Sequence, residues 1–251
     1  MKVMIHDFET AGGGARSCGV VQLAVLGGEI SASGAFIEQW RTSERYYPGG
    51  PIAPATTRVH GLSDHDVKDL PDYRRAVPEV YRQAARRGFD ALVIGFSNTR
   101  FDNVIARRLG FRPGRSLDLF IPAYRLKKRD GLESASLGST YQALTGRDPV
   151  NAHDALFDVE MTAALIPGLM GRFGFNDFAA FLDWATIGRA VPGMRLRFGP
   201  ARGQTVEALD DQVLEKALTR WRGGSIDLYA SLRAEYDRRG LATLPSQGTL
   251  F

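Results

Sequence analysis

Four acidic residues and one histidine lie in three separated segments of this 251-residue chain. Asp7 and Glu9 stand in His-Asp-Phe-Glu-Thr, Asp102 follows Asn-Thr-Arg-Phe, and His153 and Asp158 begin and end His-Asp-Ala-Leu-Phe-Asp. Hard divalent ions such as Mg²⁺ prefer carboxylate oxygens. Two such ions, roughly 3.5–4 Å apart, stabilise the attacking and leaving oxygens of an in-line displacement at phosphorus. The five residues therefore predict a two-metal site for phosphodiester hydrolysis.

The first two segments need a strand and a helix to aim their carboxylates. Residues 2–7 have the pattern of a strand, and side chains two apart on a strand project to the same side, so Asp7 and Glu9 can share metal ions. Asp102 is predicted in the first turn of a helix over 101–109, three residues after Thr99. There it would stabilise the helix dipole and could close a capping box.

The third segment needs a break between its two functional residues. Five positions in a helix correspond to about 140° of rotation, so His153 and Asp158 face one site only if the histidine precedes the helix. Asp154 is suited to be the N-cap of a helix over 154–173, which leaves His153 on the incoming loop. Histidine ordinarily titrates near neutral pH, so this residue is predicted to take a proton from the attacking water.

The surrounding pattern predicts an α/β fold in which a mixed central sheet is flanked by helices. The strands are predicted at 2–7, at 20–26 and 30–37 as a hairpin around Gly27-Gly28, at 91–96 and at 117–120. Besides the helices at 101–109 and 154–173, apolar residues at helical spacing predict helices at 73–87 and 137–144.

The composition changes after Gly193 and predicts a second, smaller module. A short strand at 194–198, a turn at 199–203 and helices at 211–221 and 226–239 are expected there. The domain boundaries are predicted as a catalytic domain at 1–175, a helical linker at 176–192, a small C-terminal module at 193–240 and a flexible tail at 241–251.

The charge of the chain indicates the class of its partner, and the cysteine content excludes two kinds of site. The formal net charge of +4 and the pI near 9.3 favour a polyanionic partner. Cys18 is the single cysteine, which excludes a disulfide within the chain and a cysteine-based zinc site. No run approaches the ~20 apolar residues of a membrane helix, and the first residues lack the pattern of a secretory signal. We expect a cytoplasmic protein without membrane association.

In combination, the three segments resemble the motifs of the DEDDh-type 3′ to 5′ exonucleases, the superfamily of exonuclease X and of the proofreading subunit of bacterial replicative DNA polymerase. The resemblance covers residues 1 to about 172, and His153-Asp-Ala-Leu-Phe-Asp158 matches the His-x-Ala-x-x-Asp pattern at its three fixed positions. It implies a ribonuclease H-like fold in which Asp7, Glu9, Asp102 and Asp158 hold two Mg²⁺ or Mn²⁺ ions. His153 would be the general base, and nucleoside monophosphates would be released stepwise from a 3′ end.

The resemblance also implies residues that contact the substrate. Thr10 resembles the residue that meets the terminal 3′ hydroxyl, and Val59-His-Gly-Leu62 resembles the loop whose apolar residue wedges against the terminal base. The substrate-binding residues expected on these grounds are Phe8, Thr10, His60, Gly61, Leu62 and Asn98. Ser97 departs from the family pattern, because many relatives have histidine before the asparagine.

The last residues suggest a protein partner. Gln247-Gly-Thr-Leu-Phe251 resembles the peptide by which bacterial DNA enzymes dock in the sliding clamp, where glutamine anchors and a Leu-Phe pair fills an apolar pocket. Gln247, Leu250 and Phe251 are therefore expected to bind a clamp. Gly248 stands where that peptide often has leucine.

Three functions remain open from the sequence. The first is a 3′ to 5′ exodeoxyribonuclease that acts on single-stranded or frayed DNA 3′ ends in repair, recombination or proofreading. The second is a 3′ exoribonuclease, because the choice between RNA and DNA depends on how the 2′-OH is met. The third is a non-catalytic nucleic-acid-binding or clamp-binding module, which would not need all four carboxylates.

Overall fold

The computed structural model describes residues 1–149, 153–187, 190–219 and 226–241, and of residues 187 and 226 only the backbone. The chain divides into two compact units, Met1–Phe181 and Leu182–Phe251. The clamp-binding peptide predicted at Gln247, Leu250 and Phe251 lies outside the described residues.

A five-stranded sheet forms the centre of the first unit, with the strand order β3-β2-β1-β4-β5. The strands are β1 (Lys2–Thr10), β2 (Val20–Ile30), β3 (Phe36–Arg45), β4 (Leu92–Gly95) and β5 (Arg115–Asp118). β1 to β3 form an antiparallel meander, whereas β4 pairs parallel with β1, and β5 pairs parallel with β4. The C-terminal ends of β1, β4 and β5 therefore meet at one edge of the sheet, which we call the carboxyl edge.

The helices up to residue 187 are α1 (Pro54–His60), α2 (Asp64–Val67), α3 (Tyr73–Arg86), α4 (Asp102–Arg108), α5 (Phe120–Asp130), α6 (Leu137–Thr145), α7 (Ala155–Phe173) and α8 (Phe178–Ile187). Of these, α3 and α4 pack on one face of the sheet and α7 packs on the other. Met4 and Phe8 of β1 belong to a core cluster with Tyr81 of α3 and Ile105 of α4. α7 contacts β1 and β2 and is joined to β3 by the ion pair between Arg41 and Glu160. The mixed α/β architecture predicted from the sequence is confirmed.

The predicted hairpin turn at Gly27-Gly28 is wrong, because β2 continues through both glycines and reverses only at 31–35. A Cβ atom on Gly27 would lie 2.4 Å from the Phe89 ring, and one on Gly28 would lie 2.3 Å from the carbonyl oxygen of Ile37. The pairing with β3 shifts register between these glycines, as in a β-bulge. They serve close packing within a strand rather than a turn.

Two further boundaries differ from the prediction. β1 continues three residues beyond Asp7 to Thr10, because β2 pairs with it along that length. The strand predicted at 117–120 ends at Asp118, and α5, which was not predicted, begins at Phe120. Its apolar start resembles a strand, but Pro122 lies in the first turn, where a helix tolerates proline.

The second unit has a small core of its own. α9 (Asp211–Thr219), α10 (Ile226–Arg238) and a 3₁₀ turn at Val206–Ala208 pack around Leu196, Leu214 and Leu232. In place of the strand predicted at 194–198, there is an isolated bridge between Arg195 and Thr205. Leu196 exchanges backbone hydrogen bonds with Gly203 and Gln204 just before the turn, so the pairing is short. Among the described helices of either unit, none combines the length and apolar character that a membrane span requires.

Candidate metal centre at the carboxyl edge

Asp7 and Glu9 lie on the same face of β1 near the carboxyl edge. Asp7 is opposite Ala24 and Glu9 is opposite Gln22 in the antiparallel pairing with β2, so strand alternation directs both side chains to the face that α7 covers. The register shifts immediately after Glu9. Such irregularities redirect side chains and are frequent beside functional sites.

Asp102 is held against the same stretch of β1 by a direct hydrogen bond. It is the first residue of α4 and is buried, and its Oδ1 accepts a hydrogen bond from the backbone N–H of Phe8 at 3.1 Å. The bond joins α4 to β1 between Asp7 and Glu9. Phe101 precedes the helix and packs against the core cluster.

The capping box proposed between Thr99 and Asp102 does not form. The N-cap residue of α4 is Phe101, and within the described chain no side chain caps this helix. The backbone N–H of Thr99 instead donates to Asp118 at 3.2 Å, and Asp118 also accepts from the N–H groups of Ser97 and Phe120. Asp118 therefore fastens the turn before α4 to the start of α5.

His153 and Asp158 face one site because the helix begins between them. Asp154 is the N-cap of α7, and its side chain accepts a hydrogen bond from the N–H of Leu156 at 2.9 Å, which confirms the predicted cap. His153 adopts a left-handed backbone conformation with φ 71°. Potential ligand atoms of Glu9, His153 and Asp158 all lie within 4.8 Å of one another. Chain segments far apart in sequence thus supply one cluster.

The carboxylates of this cluster are electrostatically unfavourable as anions. Burial, and then the charges of Asp102, Asp158 and Glu9, raise the pKa of Asp7 well above its ordinary value. Burial and the same kind of repulsion raise the pKa of Glu9 to about 8. Burial raises the pKa of Asp102 to about 7, although hydrogen bonds from backbone N–H groups, including that of Phe8, oppose the shift. The pKa of Asp158 is raised chiefly by burial.

These properties fit a site for divalent cations. Oδ1 of Asp158 is buried and has no hydrogen-bond partner among the described residues. A buried carboxylate oxygen of this kind is costly unless a proton or a cation meets it. Carboxylate oxygens are suitable ligands for Mg²⁺ or Mn²⁺. Asp7, Glu9, Asp102 and Asp158 are the residues that could hold such ions.

The opposite face of β1 carries a buried neutral network that the sequence analysis missed. His6 Nε2 lies 3.1 Å from Oδ1 of Asn103, and His6 Nδ1 lies 2.7 Å from the hydroxyl of Tyr81. Asn103 Nδ2 donates in turn to Ser116 Oγ at 2.8 Å. These bonds are all satisfied if His6 carries its proton on Nε2, and burial lowers its pKa to about 4. We call His6, Tyr81, Asn103 and Ser116 the neutral network.

The neutral network lies on the opposite face of β1 from the candidate metal centre and adjoins two of its carboxylates in sequence. His6 precedes Asp7 in β1, and Asn103 follows Asp102 in α4, so each is a direct neighbour of a carboxylate. Their mutual bond therefore ties the backbone of β1 to that of α4. The sequence contained these residue types, but no local spacing pairs positions 6, 81, 103 and 116.

Four of the residues predicted to bind substrate, Phe8, Thr10, Leu62 and Asn98, are buried in this structure. Phe8 belongs to the core cluster and contributes its backbone N–H to Asp102. Asn98 is fully buried, with Nδ2 3.5 Å from Ser116 Oγ and with Oδ1 unpartnered among the described residues. Leu62 is 6% exposed and packs with Val21 and Ile52, whereas Val59, one turn earlier, is 50% exposed.

Thr10, His60 and Gly61 are joined at the end of β1. His60 Nε2 donates to the carbonyl oxygen of Thr10 at 3.2 Å, and Nδ1 accepts from the N–H of Leu62 at 3.1 Å. This pattern holds His60 in its neutral form, and burial lowers its pKa. Gly61 ends α1 in the left-handed conformation, with φ 77°. The segment that contains His60 therefore lies beside the metal centre.

The sequence matches no model of a protein family, and it matches no curated protein. The structure does have similar folds among solved structures. Exonuclease X is 23% identical, with a TM-score of 0.50, over 68% of this chain and 93% of the other. Exonuclease I from Methylocaldum szegediense is 21% identical, with a TM-score of 0.54, over 72% of this chain and 42% of the other. Exonuclease I of E. coli is 18% identical, with a TM-score of 0.60, over 96% of this chain and 68% of the other.

At these identities the likeness concerns the fold. It agrees with the five-stranded mixed sheet and with the helices packed against it. The resemblance that three short motifs indicated is thereby confirmed at the level of architecture. The chain has the ribonuclease H-like fold of exonuclease X and exonuclease I.

Proposed function

We propose that this protein is a metal-dependent 3′ to 5′ exodeoxyribonuclease. The observation that carries the proposal is the cluster at the carboxyl edge, where ligand atoms of Glu9, His153 and Asp158 lie within 4.8 Å of one another and the charges of Asp102, Asp158 and Glu9 raise the pKa of Asp7. A cluster that is costly for the protein alone is expected where cations and a polyanionic substrate complete the site. The similarity of the fold to exonucleases X and I supports the same reaction class.

Each residue of the cluster has an assigned part in this proposal. Asp7, Glu9 and Asp158 would hold one Mg²⁺, and Asp7 with Asp102 would hold a second, with Mn²⁺ as a substitute. When bound, the two ions supply charge stabilisation for the attacking and leaving oxygens. The hydrogen bond from Phe8 keeps Asp102 oriented, and the capped start of α7 keeps Asp158 facing β1.

His153 is assigned the movement of the proton. Its ring is exposed, and a ring nitrogen lies within 4.8 Å of the carboxylates of Glu9 and Asp158. From this position it can accept a proton from a water molecule as the water oxygen bonds to phosphorus and the bond from phosphorus to the 3′ oxygen breaks. The products are a nucleoside 5′-monophosphate and a strand one nucleotide shorter that ends in a 3′ hydroxyl.

DNA is the favoured substrate class. Among the neighbours in fold, exonuclease X was solved in complex with 5′ overhanging duplex DNA, and exonuclease I of E. coli was solved with single-stranded DNA. The net charge of +4, despite an acidic site, leaves a surplus of cations for phosphates. We therefore place the activity in DNA repair, recombination or proofreading, on single-stranded or frayed 3′ ends.

The decisive experiment is a digestion series with end-labelled single-stranded DNA, duplex DNA and RNA of one sequence, with Mg²⁺ and with chelator. We expect stepwise shortening from the 3′ end of DNA that chelator abolishes. Faster degradation of RNA would favour the exoribonuclease alternative. Mg²⁺-independent binding without nucleotide release would favour the non-catalytic module and contradict the proposal.

Clamp binding through Gln247, Leu250 and Phe251 remains a separate proposal based on the sequence. It predicts that a bacterial sliding clamp retains the full chain and releases a chain that lacks the last five residues. Equal retention of both chains would refute it.

A further inference from the structure

Two large aromatic side chains lie in solvent on the first two turns of α5. Phe120 is 38% exposed and Tyr124 is 46% exposed, and their rings are stacked with centroids 6.1 Å apart. Phe96 meets Phe120 edge-on at 6.0 Å, and Lys128 Nζ lies 5.6 Å from the centre of the Tyr124 ring. We call Phe96, Phe120, Tyr124 and Lys128 the aromatic stripe.

The aromatic stripe begins beside the metal centre. Phe96 directly follows β4, and Phe120 follows β5 after one intervening residue, so both lie at the carboxyl edge. β4 is the neighbour of β1, and β5 is the neighbour of β4. Because adjacent strands are about 4.8 Å apart, the stripe starts roughly one strand away from Asp7 and leads outward from it.

The core does not require these rings. Pro122, Ala123 and Leu126 form the buried side of α5, whereas Phe120, Tyr124 and Lys128 recur every four residues and share the exposed side. Mutual contact holds the rings in place before any partner binds. Surface aromatics that are fixed in this way offer flat faces on which a ligand can stack.

The charge beside the rings indicates the class of ligand. The last turn of α5 carries Lys127, Lys128 and Arg129. Lys127 Nζ donates to the carbonyl oxygen of Glu133, and Arg129 pairs with Asp130, whereas Lys128 is directed over the Tyr124 ring. Alternation of aromatic faces with a cation suits a strand whose bases stack and whose phosphates are anionic.

We propose that the aromatic stripe binds the single-stranded polynucleotide a few nucleotides upstream of the 3′ end that occupies the metal centre. The inference rests on the proposed function and adds to it a site that makes hydrolysis depend on strand length. Stacking is tolerant of sequence, so the stripe would grip any base. A protein partner on the same face is the competing occupant, and it would leave oligonucleotide hydrolysis unchanged.

The experiment compares a dinucleotide with a 12-nucleotide DNA strand as substrates of wild type, Phe120→Ala and Tyr124→Ala. The dinucleotide reaches the metal centre but is too short to span the stripe. We expect each alanine variant to raise KM for the 12-mer about tenfold or more, and to leave kcat/KM for the dinucleotide within about twofold. Phe120→Tyr and Tyr124→Phe keep a ring at each position and should restore the KM of the wild type.

Matched controls come from the opposite edge of the sheet. Ile37 is 57% exposed there, so Ile37→Ala tests the loss of a large exposed apolar group away from the stripe. Lys2 lies 5.7 Å over the Phe89 ring, which makes Lys2→Ala the counterpart of Lys128→Ala. Of the two lysine variants, only Lys128→Ala should raise KM for the 12-mer and weaken the salt dependence of that KM. Equal effects of the two lysine variants would overturn the inference.

Binding in chelator separates this inference from the proposed function. Fluorescence anisotropy with labelled 12-mers of DNA and RNA reports affinity without hydrolysis. Binding that weakens about tenfold in Phe120→Ala and Tyr124→Ala, in a protein that hydrolyses neither substrate, would uphold the stripe and reject the exonuclease. Metal-dependent hydrolysis with the same KM for the 12-mer in wild type and variants would uphold the exonuclease and reject the stripe.

Discussion

The two faces of β1 carry a buried polar cluster and a half-buried polar cluster with opposite properties. On one face, His6 lies in the neutral network, where Tyr81, Asn103 and Ser116 form a continuous chain of hydrogen bonds. On the other face, Asp7 and Glu9 lie among further acids that raise their pKa, beside an Asp158 oxygen without a partner among the described residues. The two clusters are separate because successive side chains of β1 point to opposite faces of the sheet.

The difference distinguishes a structural cluster from a site that needs a ligand. Buried polar groups whose hydrogen bonds are all made rigidify a core and need nothing further. Buried like charges oppose folding unless protons or cations neutralise them. The neutral network thus fixes the position of the backbone. The acidic cluster destabilises the metal-free fold, and cation binding would remove that destabilisation. Five predictions, from the largest expected effect to the smallest, test this contrast.

Removal of a single charge from the acidic cluster should abolish hydrolysis. Asp7→Asn and Asp158→Asn each remove a predicted metal ligand but keep the size of the side chain, so we expect DNA hydrolysis to fall by about 10²–10³-fold or more. Asp154→Asn is the matched control, because asparagine caps a helix as well as aspartate does. Its activity should stay within about threefold of wild type. Full activity of Asp7→Asn would contradict the site assignment.

Divalent cations should stabilise the fold through the acidic cluster alone. A ligand that binds only the folded state at about 100 times its Kd adds roughly 2.7 kcal/mol to the free energy of unfolding. We expect a gain of this order on adding Mg²⁺ or Mn²⁺ to chelated wild type in urea unfolding. The gain should vanish in the double variant Asp7→Asn, Asp158→Asn and persist in Tyr81→Phe. An equal gain in the double variant would place the ions elsewhere.

The pH dependence of metal-free stability should reflect Glu9. Its pKa rises from 4.5 in the unfolded chain to about 8 in the fold, so the folded state binds the extra proton between these values. Stability is therefore highest at the acid end of this window and falls as the pH rises toward 8. Glu9→Gln should flatten this decline and add on the order of 1–3 kcal/mol at pH 8 in chelator.

His6 is expected to make stability depend on pH in the opposite sense to Glu9. Burial depresses its pKa from 6.5 to about 4, so the unfolded chain binds the extra proton in that window. The contribution of neutral His6 is present above pH 6.5 and is lost as the pH falls toward 4. The pH dependence of urea unfolding in chelator, compared between wild type and Glu9→Gln, separates the contribution of His6 from that of Glu9. A decline below pH 6.5 should remain in the variant, and its disappearance would count against the neutral network.

The smallest expected effect is the loss of one hydrogen bond from the neutral network. Tyr81→Phe removes the hydroxyl that donates to His6 Nδ1 and should cost about 1–3 kcal/mol of unfolding free energy, with or without Mg²⁺. Tyr47 is 37% exposed, and Tyr47→Phe should change stability by no more than about 0.5 kcal/mol. A cost for Tyr81→Phe that disappeared on adding cation would show that the two clusters are not independent.

The local arrangement of the motifs proposed to bind metal could be predicted from the sequence. Alternation in β1 places Asp7 and Glu9 on one side, and the cap at Asp154 starts α7 after His153, so spacing predicted the arrangement within each of these two motifs. The turn predicted at Gly27-Gly28 failed for the opposite reason. Glycine is required at these positions because Phe89 and Ile37 approach the backbone closely, and they do so only in the folded sheet.

The sequence by itself determined the alternation that pairs Asp7 with Glu9 and the helix start that separates His153 from Asp158, and it supplied the residues that we propose carry the chemistry. Tertiary structure alone decided that the segments meet. The bond from Phe8 to Asp102 spans 94 positions, and the neutral network joins four elements that share no local pattern. Short-range preferences act within a few residues, whereas the pairing of distant strands and helices is selected by the burial of a common core.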